Sequence, residues 1–175
     1  MRFSRIHMSS TYDDLHHKFS AHLADYNDQK RRAADILNRL IAVCVEQHGV
    51  PCEHISCHPP SSDIPEDRGR PPAWVIEQKP NGSWGLNLVI RIGSSVGGSG
   101  YMVSATRPEV LFDGSHAELR LADDATPTII DATDEASALR TFATRVIKHI
   151  EKSIFLLGKP QDQQRRIVGF HSGEK

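Results

Sequence analysis

The sequence predicts an α+β domain in which an antiparallel β-sheet of about four to five strands packs against a long N-terminal helix and a C-terminal amphipathic helix. Three observations predict it. Apolar residues recur at steps of three and four from Tyr12 to Cys44, and again from Leu139 to Leu157, which is the spacing of one helical face. Between these stretches the pattern changes to alternation, as in Trp84, Leu86, Leu88, Ile90 and Ile92, the period of a strand with one covered side. The dipeptides Asn81-Gly82 and Asp113-Gly114 punctuate this region, supplying the positive φ angles that tight hairpins require.

Ser9, Ser10 and Thr11 precede Asp13 and Asp14, placing hydroxyl caps and first-turn carboxylates where a helix N-terminus favours them, so the first helix is expected to start near Thr11. Tyr12, Leu15, Phe19, Leu23, Tyr26, Ala33, Ile36, Leu37, Leu40, Val43 and Cys44 form its stripe, and Gly49 with Pro51 ends it. Unbroken from 11 to 48 it would be roughly 57 Å long, more than the diameter of a domain of this size, so part of it would overhang. The polar run Asn27-Asp28-Gln29-Lys30 is the place for a kink or a break, although one helix is the preferred reading.

Residues 50–58 form a possible strand and run into a segment with five prolines between Pro59 and Pro72, an exposed loop because proline lacks an amide donor and restricts the residue before it. A hairpin is expected from 73–79 and 84–92 around Pro80-Asn81-Gly82-Ser83, with Gly85, Asn87, Val89 and Arg91 on its more polar face. Further strands are expected at 101–106, at 116–122 with Ala117, Leu119 and Leu121 inward, and near 128–131, while 109–112 is a pairing candidate. The last helix starts near Thr133-Asp134-Glu135 and stops at Gly158 with Pro160 behind it. The resulting organisation is an N-terminal tail over 1–10, a single domain over 11–158, and a polar C-terminal tail over 159–175.

Composition narrows the function classes. With 21 basic and 22 acidic side chains the formal charge is −1, so no global field draws the chain to nucleic acid or to an anionic membrane. No apolar run reaches the roughly 18–20 residues needed to cross a bilayer, and no membrane association is expected. The basic N-terminus lacks the apolar stretch of a secretory signal. Three cysteines, an odd number, suit a reducing compartment, and the protein is read as soluble and cytoplasmic.

The densest group of possible ligands is Cys44, His48, Cys52, His54, Cys57 and His58. Zinc is the ion such donors would select, with Cys52, His54, Cys57 and His58 as the candidate ligands. Their spacing, C-x-H-x-x-C-H, matches no common finger, and on a strand Cys57 would face away from the other three. No metal and no other cofactor is therefore expected. His16, His17 and His22 lack the four-residue spacing of a helical metal pair, and the glycine-rich segment 93–100 lacks the Gly-Lys-Ser/Thr ending of a phosphate loop. Nucleophile motifs are missing, so no catalytic residue is assigned. Asp13/Asp14 and Asp123/Asp124 read as cap and turn residues. Lys30-Arg31-Arg32 has acidic neighbours on its helix and Arg165-Arg166 stands without interleaved aromatics, so nucleic-acid binding is not favoured.

The leading expectation is a non-enzymatic protein-binding or assembly module, such as an accessory subunit of a larger bacterial or phage complex. Its partner, another protein or a second copy of the chain, would bind the N-terminal helix. Behind it stand a metal-binding domain or metal-dependent enzyme using the 44–58 cluster, and a sensor of small ligands or nucleic acid using the sheet face at Asn87 and Arg91 or the 93–100 loop.

Overall fold

The computed structural model describes residues 8–61, 69–93, 100–114, 116–122, 124–131, 133–155 and 168–172. It is an α+β fold of two long helices and a one-turn helix packed with two antiparallel sheets. Helix α1 spans Met8–His48 without a break, so 27–30 neither forms a turn nor separates two helices. It begins three residues before the expected Thr11, and Ser9 to Thr11 belong to its first turns rather than preceding them. Gly49 ends it at φ +64° with its amide donating to the Val45 carbonyl at 3.0 Å, a left-handed stop that glycine takes without steric cost.

The expected strand at 50–58 is shorter than its pattern: Cys52–His54 forms one turn of 3₁₀ helix, and only Ile55–His58 is extended, as β1. The first arm of the expected hairpin is likewise reduced. Pro71-Pro72 favours a helix start, Pro72–Val75 becomes a one-turn helix, α2, and β2 is only Glu77–Gln78. It pairs with β3, Trp84–Gly85, across a turn in which Gly82 takes φ +83°.

The single long strand expected at 84–92 is divided between the two sheets. β3 belongs to one and β4, Asn87–Gly93, to the other, with Leu86 alone between them. Their partners switch at the same level: β5, Gly100–Thr106, pairs with β4, and β6, Pro108–Asp113, pairs with β3, separated by Arg107. Pro108 has no amide to donate to a ladder, and the ribbon changes sheet beside it. β7, His116–Leu121, and β8, Asp124–Ile130, complete the five-stranded sheet in the order β2-β3-β6-β7-β8.

The second sheet runs β1-β4-β5-β9. Its last strand, Val168–Ser172, lies inside the segment expected to be a polar tail and pairs with β5. Helix α3, Glu135–Phe155, bridges the sheets by touching both β5 and β8 and lies beside α1. One core joins all of these, with Leu37 and Leu40 from α1, Trp84, Leu88 and Leu119 from the strands, and Phe142 and Val146 from α3. The expected inward set Ala117, Leu119 and Leu121 is buried.

The more polar face of 84–92 is not solvent-facing: Asn87 and Val89 are buried, whereas Ile92 from the apolar series is exposed. The start of the proline-rich segment accounts for part of this cover. Asn87 Nδ2 donates to the Pro59 carbonyl at 3.0 Å, its Oδ1 accepts from Arg107 Nε at 2.9 Å, and the Arg70 amide donates to the Cys57 carbonyl at 3.0 Å. Ile154 falls among residues whose side chains are not described, and Leu157 and Gly158 lie outside the described residues.

Candidate interaction surface

Helix α1 has two halves with different surroundings. From Ala33 to Cys44 its stripe is core: Ala33, Leu37, Leu40 and Cys44 are each at most 1% exposed. From Thr11 to Asp25 every residue is exposed, including Tyr12 at 70%, Leu15 at 62%, Phe19 at 65% and Leu23 at 46%. The boundary is Tyr26, half-buried, whose ring lies 4.9 Å from that of Trp84. One stripe therefore continues from the interior into water. Four large apolar side chains on one face of a projecting helix expose on the order of 400–500 Å², the size at which an apolar patch on a single chain usually has a use.

Charged residues beside the stripe differ in how they are held. Arg31 pairs with Asp28 at 2.7 Å, Arg32 lies 4.6 Å over the Phe112 ring, and Arg39 reaches Glu135 of α3 at 2.6 Å. Farther out, Asp25 accepts from Gln29 at 3.0 Å. Among the described residues no ion pair engages Lys18. The basic run at 30–32 thus serves the fold in part, and Arg165-Arg166 lies outside the described residues.

The Cys/His residues are not gathered into a site. Cys57 is buried in the core, and burial pushes its thiol up to about 12, as it pushes that of Cys44 up to about 11. Neither is a nucleophile at neutral pH. Cys52 is exposed, its thiol 3.5 Å from the Glu53 carboxylate. His58 is buried on the opposite face of β1 and shares a 3.0 Å hydrogen bond with Ser56. His54 is half-buried and His48 closes α1. Among the described residues no three His, Cys, Asp or Glu side chains are grouped to hold a metal ion. His16, His17 and His22 are exposed on the projecting half of α1.

A polar cleft of about 430 Å³ lies on the five-stranded sheet, between Lys79, Asn81, Ser83, Glu109, Arg120 and Asp124. Its charges answer one another. Glu109 accepts from Lys79 and, at 2.9 Å, from Ser83, and Arg120 pairs with Glu118. Arg145 holds Asp124 at 2.5 Å while donating to the Thr126 carbonyl at 2.6 Å and the Thr128 hydroxyl at 2.7 Å. This guanidinium, with the Thr126 amide, lowers the Asp124 carboxyl to about 2. Such compensated pairs tie strands and α3 together, and they are invisible in the sequence because their partners are set by cross-strand register.

Asn87 is enclosed in the fold and Arg91 is half-buried, while 94–99 and Asp123 lie outside the described residues. The polar sheet face expected to be available for a ligand is thus closed at Asn87. Among the described residues, four of the seven large apolar side chains left exposed stand on this stripe.

No family model, curated protein or solved structure matches this chain. Function is therefore argued from the surface itself.

Proposed function

We propose that this protein is a non-enzymatic assembly module that docks onto another polypeptide through the amino-terminal half of α1. The observation that carries this reading is the run Tyr12, Leu15, Phe19 and Leu23, exposed where the continuation of the same stripe is core. A helical segment of about fifteen residues is marginal in water without packing, and most helix stability comes from covering an apolar face. A partner laid along the stripe supplies that cover.

Supporting features lie elsewhere in the fold. The buried thiols have pKa values that unfit them for nucleophilic work, and the cleft charges are already paired. Free Cys44, Cys52 and Cys57 suit a reducing setting such as the cytoplasm. Among the described residues no helix is long and apolar enough to cross a membrane.

Hydrogen exchange on untagged protein, read together with native mass, tests the proposal. Amides 11–25 should be protected well beyond the rates of a fraying helix, in a species heavier than the 19.5 kDa chain. The L15E/F19E variant should lose both the protection and the extra mass. Fast exchange over 11–25 in a particle of 19.5 kDa would overturn the reading.

A further inference from the structure

We infer that the polypeptide covering the stripe is a second copy of this chain, its α1 laid antiparallel on the first. The inference rests on the assembly reading above and names its partner.

The phase of the stripe comes first. Tyr12, Phe19 and Tyr26 stand seven residues apart, as do Leu15, His22 and Gln29, and together they make the alternating three- and four-residue seam of a two-helix pair, with the exposed Leu23 flanking it beside His22. A parallel partner would bring its own folded body to the same end of the seam, where Tyr26 already packs on Trp84 and the core. An antiparallel partner instead brings only its slender N-terminal end there, and the two folded bodies lie at opposite ends of the pair.

The register follows from what the fold leaves free. Setting Phe19 against His22 of the second copy also sets Leu15 against Tyr26 and Tyr12 against Gln29. Every layer of this seam lies before Ala33, where the fully buried set begins, and only Tyr26 of its members is packed against that core. A shift of one heptad toward the body would require Ala33, which is 0% exposed. A shift the other way would place Lys18 against Lys18 of the second copy.

In the chosen register the flanking charges are opposite. Lys18 of each chain faces Asp25 of the other, twice by symmetry, and Lys18 has no ion-pair partner among the described residues within its own chain. Closing the two stripes, with the residues flanking them, removes on the order of 1,000 Å² from water, the size at which specific interfaces begin. An isologous pair of this kind is the commonest closed arrangement of identical chains.

Charge exchange in the full chain tests both partner and direction. Sedimentation of untagged protein should show a dimer at about 50 µM. K18E and D25K singly should each weaken it roughly tenfold, because each converts two attractive contacts into repulsive ones. Combined in one chain, K18E/D25K should return affinity to within about threefold of the original. In a parallel pair Asp25 would face Lys30, so K18E could not rescue D25K, and that result overturns the proposal. A complex with a different protein, abolished by L15E/F19E, overturns self-pairing and leaves the assembly reading standing. A monomer with unprotected 11–25 amides overturns both.

Discussion

Gly69 shows how much depends on a single missing methyl. A Cβ at this position would lie 2.3 Å from Ser56 Cβ and 2.6 Å from the Cys57 amide nitrogen, so the segment leading to α2 lies against β1 only because residue 69 has no side chain. G69A should cost about 1–3 kcal/mol, the range for overpacking, read as a lower urea midpoint with an unchanged slope. Asp124 gives a pH signature. Its folded pKa, lowered to about 2 from an ordinary value near 3.8, means the Arg145 contact favours the folded state fully at pH values above the unfolded pKa. That contribution is lost as the pH falls through about 2. The urea-midpoint gap between wild type and D124N should therefore be constant near neutrality and narrow on acidification from about pH 5 toward pH 2. A gap that widened would contradict the pairing. Neither residue announces itself in the sequence, because Gly69 matters through Ser56 and Asp124 through a guanidinium on α3.

At the scale of elements, the two halves of α1 should respond oppositely to the same kind of truncation. L40A removes a fully buried side chain and should cost about 2–5 kcal/mol. F19A should alter monomer stability by less than about 0.5 kcal/mol, because its ring is in water until something covers it. Chemical denaturation at a concentration low enough to hold the chain as a monomer separates the cases. The helices were legible because period and stop signals are local: the α1 stripe, Gly49, and the α3 series through Leu139, Phe142, Val146 and Ile150 all appear in the fold, whereas the cap expected at Ser9 to Thr11 lies inside α1, which starts at Met8. The division of 84–92 was not legible. It depends on Pro108 in a strand more than twenty residues away, and alternation alone does not say that a ribbon changes sheets. Strand β9 was missed because five mixed residues carry no period of their own and gain strand character by pairing with β5.

The whole molecule is a compact two-sheet body with a helix that leaves it. That the stripe would overhang was legible from length: 41 residues reach about 62 Å. That the transition falls at Tyr26 was not, because it is set by where Trp84 meets the helix. The Cys/His cluster, the most conspicuous chemistry in the sequence, was dispersed by β1, whose two faces separate Cys57 from His58, and by a helical turn that leaves Cys52 outside. Because α1 runs unbroken from the core to Met8, the exposed stripe is geared to the body. Each residue inserted near Ala24 would turn the tip by about 100° and advance it by about 1.5 Å. Two inserted residues would aim Tyr12 and Phe19 nearly backwards, while seven would bring them within about 20° of their original bearing, one pitch of the seam farther out. The helix thus acts as a keyed shaft, in which the number of residues between the core and Tyr12 sets the bearing of the exposed stripe relative to the body.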